Sequence, residues 1–194
     1  MRLFIAVDCP QELKSSLSQF LKNSFQTIPQ KGMKWVRAEH LHLTLRFLGE
    51  VEESRVQLLE ETLTDSLGGV QSFSSKFTTF GFFPSSNRAR VFWIGLDDSK
   101  EKLAHLAKKI EDGLIANNFG KRDKEFSAHL TLARFSFPPS SMVLQQIEKI
   151  KSPCFADLRI SQVLLMQSVL QPEGPHYVVL KKFLLVHANK ELSV

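Results

Sequence analysis

The chain has 194 residues, 43% of them apolar, and 25 Lys and Arg against 20 Asp and Glu for a formal charge of +5, with a pI near 9.3. That length suits one substantial core or two small lobes, and no apolar run approaches the roughly 20 residues that span a bilayer. Two cysteines, Cys9 and Cys154, argue against a disulfide framework and make a reducing cytoplasm the expected location, while Cys-x-x-Cys, Walker and Gly-x-Gly-x-x-Gly motifs are all missing.

Arg2-Leu3-Phe4-Ile5-Ala6-Val7-Asp8 reads as a first strand. Asp8 and Pro10 interrupt it too early for a secretion signal. Pro10 suits a first helical turn, and Leu13, Leu17, Phe20 and Leu21 recur at helical spacing. His42-Leu43-Thr44-Leu45 follows as a strand, then a helix marked by Val56, Leu59 and Leu63, then a strand-like run from Phe73 to Phe80.

The order then repeats. Arg90-Val91-Phe92-Trp93-Ile94-Gly95-Leu96-Asp97 resembles the first strand, and Leu103, Leu106, Ala107, Ile110 and Leu114 mark a helix. His129-Leu130-Thr131-Leu132 repeats the earlier tetrapeptide letter for letter, 87 positions on. Val143, Leu144, Ile147 and Ile150 mark a helix, and Leu158 to Leu165 a strand. A last strand, about Tyr177 to Val186, has no counterpart and is expected to close the second sheet. Residues 1–194 thus read as a single bilobal unit, an internal duplication of approximately 2–89 and 90–186. A period of that length fits two lobes rather than a solenoid.

On a strand, alternate side chains share a face. In each tetrapeptide the leucines enter a core while His and Thr face the other way. Two such strands facing one cleft bring together two imidazoles and two hydroxyls. Histidine titrates near neutrality, so one member serves as general base and the other as general acid. Cleavage of a cyclic phosphodiester needs both, and the hydroxyls can hold the non-bridging oxygens. This chemistry calls for no metal and no cofactor.

Other residues are candidates at the margin. Arg46 shares a face with His42 and Thr44 on a regular strand, and is a candidate phosphate ligand. Arg134 has the opposite parity from His129 and reaches the site only if the strand twists or ends there. Phe82 and Phe83, ahead of Pro84 and Ser85-Ser86-Asn87, are candidates for a wall on which a base stacks. The basic clusters are Arg88-Ala89-Arg90 and Lys121-Arg122-Asp123-Lys124, and the second either lines the cleft entrance or is a solvated loop. His40 and His42 share a face and offer a competing metal pair. Ser127 breaks that pattern in the second copy.

Arg2-Leu3-Phe4-Ile5-Ala6-Val7, Leu41-His42-Leu43-Thr44-Leu45-Arg46-Phe47-Leu48-Gly49 and His129-Leu130-Thr131-Leu132-Ala133-Arg134 resemble the two-histidine (2H) phosphoesterase superfamily. Within it they are most similar to the RNA 2′,3′-cyclic phosphodiesterases, also called 2′-5′ RNA ligases. The resemblance implies an α+β fold of two pseudo-symmetric lobes, each an antiparallel sheet with helices on its outer side, flanking a central cleft. It implies hydrolysis of a terminal 2′,3′-cyclic phosphate of RNA to a 2′-phosphomonoester. His42 would be the proton donor to the leaving 3′ oxygen and His129 the acceptor that activates water. Thr44 and Thr131 would bind phosphate. His40 and Ala128 depart from the Asn and Pro frequent in the family. The expected partner is an RNA or oligonucleotide end, met by a monomer. The alternatives are 2′-5′ ligation, hydrolysis of a small cyclic nucleotide, or a nucleotide-binding module without turnover.

Overall fold

Hydrophobic periodicity sets the elements. The computed structural model describes residues 1–26, 31–98, 100–150, 155–172 and 174–187. The first half holds β1 (Arg2–Asp8), α1 (Gln11–Phe25), β2 (Met33–Trp35), β3 (His42–Glu50), α2 (Val56–Leu67), β4 (Phe73–Ser75) and β5 (Phe77–Phe83). The second holds β6 (Val91–Leu96), α3 (Lys102–Ala116), β7 (His129–Phe135), α4 (Ser141–Glu148), β8 (Leu158–Ile160), β9 (Gln162–Gln171) and β10 (Gly174–Leu184). The run from Phe73 is two strands broken at Lys76, and the run from Leu158 breaks likewise at Ser161. The short β2 had no periodic signal. Cys154 lies outside the described residues. Among those described, no helix is long and apolar enough to cross a membrane.

Local chemistry fixes the helix starts. The Asp98 carboxylate accepts from the backbone N–H groups of Leu103 and Ala104 at 2.8 and 2.9 Å, satisfying donors that the first turn of α3 leaves open. The Ser140 hydroxyl accepts from Val143 N–H and opens α4. Pro10 precedes α1, where its missing N–H costs nothing.

The protein is α+β, in two lobes whose antiparallel sheets join edge to edge. The strand order is β10-β9-β1-β3-β7-β6-β5, with β2 added on β7. One lobe is β10-β9-β1-β3, and the other is β7-β6-β5 with β2. They meet where Leu43 of β3 pairs with Leu130 of β7. The final strand therefore does not close the sheet that carries His129. It pairs with β9, which pairs with β1, and so lies on the side of His42. β5 precedes residue 89 in the chain yet pairs with β6, while β9 pairs with β1, so each sheet draws strands from both halves of the sequence. β4 and β8 form a separate two-stranded sheet.

The helices cover one face. Leu3, Ile5 and Val7 of β1, Leu43 and Leu45 of β3, and Leu130 and Leu132 of β7 share one buried cluster with α1 and α3 side chains such as Leu17 and Ile110. The opposite face carries a small cluster of Phe4, Ala6, Leu164 and Met166, with Tyr177 against it.

A buried ion cluster ties α3 to β3. Glu111 meets Arg46 Nε at 2.9 Å and Arg122 Nε at 3.2 Å, and its other oxygen accepts from the Arg122 N–H at 2.6 Å. Arg46 and Glu111 are both more than nine-tenths buried. Removing one partner strands buried charge and costs about 3–5 kcal/mol. Glu111→Ala is accordingly expected to lower the unfolding free energy by that amount in urea titrations. A loss of about 1 kcal/mol or less, the worth of a surface pair, would contradict the clasp.

Candidate active site

Strand alternation puts the leucines of both tetrapeptides under the helices, so both His-x-Thr pairs face the other way. Counting antiparallel from the Leu43–Leu130 pair sets His42 opposite Thr131 and Thr44 opposite His129. The histidines lie on a diagonal of this square, and diagonal neighbours have Cα atoms roughly 7–8 Å apart. All four side chains line one cavity of about 510 Å³, together with Arg134 and Tyr177.

The two imidazoles are held in the same way. His42 Nδ1–H donates to the carbonyl of His40 at 2.7 Å, and His129 Nδ1–H to the carbonyl of Ser127 at 2.8 Å. A carbonyl only accepts, so the proton of each neutral ring sits on Nδ1. Nε2 is left as the basic atom. The ring of His42 lies between Phe4 (centroids 5.1 Å) and Tyr177 (5.4 Å, edge-on). His129 lies between Phe83 (4.9 Å, edge-on) and Trp93 (6.0 Å). A Cβ at Gly81 would overlap the Trp93 indole, so glycine there lets the indole lie flat over β5.

These aromatic walls shape the electrostatics. Burial pulls His42 down from 6.5 to about 4, against the opposing pull of the His40 carbonyl and Asp8. Burial also lowers His129, helped by the charge of Arg134 and opposed by the Ser127 carbonyl. Both are neutral imidazoles in the free protein near pH 7. Cys9 is buried and its thiol is pushed up to about 12, chiefly by desolvation, so it is no nucleophile at neutral pH.

Two arginines stand where a regular strand would not put them. β3 bulges at Leu45, where Ala6 pairs with Thr44 and Ile5 with Arg46. β7 bulges at the matching Leu132, where Trp93 pairs with Thr131 and Phe92 with Ala133. A bulge inserts one residue and reverses parity beyond it. Arg46 therefore turns toward the helices, where it meets Glu111 and donates to the carbonyls of Phe47 and Gly120. Arg134 turns onto the face of His129 and lines the cavity. Both parity expectations are thus reversed, and Arg46 is committed to the fold rather than open to a phosphate.

Phe83 lines the site as expected, whereas Phe82 packs into the core against Phe92 (5.3 Å) and Phe135 (6.3 Å). Phe82 is therefore no base-stacking wall. A second cavity of about 960 Å³ adjoins the first, sharing Thr44, Phe47 and His129 with it. Lys121, Arg122 and Lys124 line it, so this basic segment does border the cleft, as does Arg90. His40 lines the smaller cavity against Tyr177 (4.7 Å). Among the described residues no three His, Cys, Asp or Glu side chains converge to hold an ion.

Sequence reasoning missed Phe4, Phe47, Trp93 and Tyr177. Phe4 and Trp93 sit in uniformly apolar strands, where alternation leaves no mark. Phe47 is 47% exposed at the junction of the two cavities because the bulges swing it outward. Tyr177 is the sole tyrosine of the chain, and that singularity was its only signal.

Comparison with known proteins agrees with this geometry. A family model described as LigT like phosphoesterase matches residues 7–93, which include the first motif. An RNA 2′,3′-cyclic phosphodiesterase of Methanocaldococcus jannaschii is 36% identical over 184 residues, covering 94% of this chain and 100% of that protein. A protein of the same name from Archaeoglobus fulgidus is 36% identical over 183 residues, covering 94% of this chain and 99% of that one. The crystal structure of a Thermus thermophilus protein, TT0787, superposes with a TM-score of 0.78 at 29% identity, covering 95% of this chain and 98% of that one. Identity at this level across whole chains, with the doubled motif in one cavity, shows that the chain belongs to the LigT-like phosphoesterases of the two-histidine (2H) superfamily, an enzyme family of cyclic phosphodiesterases.

Proposed function

We propose that the protein hydrolyses the 2′,3′-cyclic phosphate at an RNA end to a 2′-phosphomonoester, by metal-independent acid–base catalysis with His42 and His129. The observation that carries this reading is the pair of identical Nδ1–carbonyl bonds, which leave two Nε2 atoms free in one cavity. His129 Nε2 takes a proton from water as the water oxygen attacks phosphorus. The bond from phosphorus to the 3′ oxygen breaks, and that oxygen takes a proton from His42 Nε2. The products are a 2′-phosphate and a free 3′ hydroxyl. Thr44 and Thr131 donate hydroxyls to the non-bridging oxygens, and Arg134 presents its positive charge farther along the same face. The buried free thiol of Cys9 fits a reducing cytoplasm as the working compartment.

The acid role of His42 depends on its substrate. A phosphodiester anion within about 4–6 Å favours the imidazolium and raises a pKa that burial has lowered. Binding itself thus charges the general acid.

His42→Ala and His129→Ala are each expected to cut turnover of a cyclic phosphate RNA end by roughly 10²–10⁴-fold. The double variant should be little worse than the worse single, because the pair acts as a unit. Near-normal rates in either folded single variant would overturn the mechanism.

The pH behaviour follows from the lowered values. In the free protein, NMR should find His42 neutral down to about pH 4. The unfolded chain takes up that proton near 6.5, so stability should fall as pH drops from about 6.5 toward 4. A bound nucleotide 2′-phosphate should move the His42 titration upward. kcat/KM, which reports the free enzyme, should peak on the acid side of 6.5, and kcat closer to neutrality. A His42 titration that bound phosphate leaves in place would sink the acid assignment.

Activity is also expected to persist after exhaustive EDTA treatment. Loss with rescue by one divalent ion would place His40 and His42 in a metal site instead.

A further inference from the structure

Lys34 and Arg134 are direct cross-strand partners in the antiparallel β2–β7 pair. Side chains so placed have Cβ atoms roughly 4.5–5.5 Å apart, and like charges there repel. Both side chains are exposed, and both line the cavity that holds the two histidines. Neither forms an ion pair among the described residues. Arg2 and Arg37 line the same cavity, and among the described residues no carboxylate does. Arg2 rests over the Phe47 ring at 5.4 Å, and Arg37 meets Glu39 at 3.4 Å on the surface. The larger cavity differs. Asp123 and Glu125 stand among its cations, and Glu111 engages two of its arginines. Among the described residues, the charge without an ion-pair partner in this cavity is concentrated at Lys34 and Arg134.

Such a pair is relieved by an anion between its members. It is not the scissile phosphate, which belongs between the histidines and threonines. Thr131 and Arg134 pair with Trp93 and Val91 of β6, two residues apart, so with the bulge they are separated by roughly 7 Å of strand, a spacing on the order of one nucleotide. We propose that Lys34, with Arg134 opposite it, binds the internucleotide phosphate next to the reacting terminal one. The substrate class is then an RNA chain of at least two nucleotides, preferred over a mononucleoside cyclic phosphate. Lys34 is a specificity residue, placed by a strand whose sheet partner is β7. This rests on the cyclic phosphodiesterase reading above.

The test compares wild type and Lys34→Ala on a dinucleotide ending in a 2′,3′-cyclic phosphate and on a mononucleoside 2′,3′-cyclic phosphate. The wild type should favour the dinucleotide. In the variant the ratio of the two kcat/KM values should fall about tenfold, the worth of one charge-assisted contact, through KM rather than kcat. Lys34→Arg should restore the ratio. The slope of log affinity against log salt for RNA should shrink by about 0.7. The Tm of free Lys34→Ala should rise, since a like-charge pair is relieved. Equal losses on both substrates, an unchanged ratio, or a lowered Tm with parallel losses would overturn the subsite. If the wild type turns over neither substrate, the proposed activity fails, and calorimetric binding then judges the subsite alone. A dinucleotide ending in a 2′-phosphate should lose about tenfold more affinity on Lys34→Ala than a mononucleoside 2′-phosphate, and an equal loss would overturn it.

Discussion

One cross-strand pair, Leu43 with Leu130, holds the site together. Both leucines are fully buried under the helices, so their strands cannot rotate without exposing them. Because the pairing is antiparallel, it places each His beside the other motif's Thr. Slipping the register by one residue would turn every one of these side chains to the other face. The placement of both His-x-Thr pairs therefore depends on a contact on the opposite side of the sheet. The core fixes the geometry, and the cleft inherits it.

The bulges are the second constraint, and they divide what was legible from what was not. Strand periodicity sufficed to place His42, Thr44, His129 and Thr131, because all four precede the bulges. Beyond Leu45 and Leu132 it fails, and it assigned Arg46 and Arg134 to the wrong faces. A bulge depends on how a neighbouring strand is paired, and one strand's residues carry little trace of it. The result is a division of labour between matching positions. After the first bulge an arginine goes inward to Glu111 and a phenylalanine outward. After the second an alanine goes inward and an arginine outward.

The long helices were legible for the same reason that the first four site residues were. Leu103, Leu106, Ile110 and Leu114 repeat at helical spacing, and all are buried where α3 meets the sheet. Strand partnership was not legible. Nothing local in Phe77–Phe83 says that it pairs with β6 rather than with β1, and β9 takes the place beside β1 that simple duplication gives to β5. That exchange puts Tyr177 beside His42, since β10 follows β9. The segment Met33–Trp35 is too short for periodicity to register, yet it carries Lys34 to the cavity.

The aromatic walls and the cationic rim act in opposite senses on the same two rings. Phe4, Tyr177, Phe83 and Trp93 remove water from the imidazoles and favour their neutral form. Arg134 adds to that effect on His129. An enzyme needing one charged histidine would be poorly served by this environment if the charge had to exist in the free protein. It is well served if the phosphate supplies the balancing charge. A desolvated imidazole responds strongly to a nearby anion, because the low dielectric that disfavours its lone charge also strengthens its attraction to the phosphate. The same anion quiets the repulsion among the surrounding cations. In the mechanism proposed above, histidine protonation, threonine donation and the cationic rim are thus coupled through the ligand, and the general acid would form where the leaving oxygen needs it.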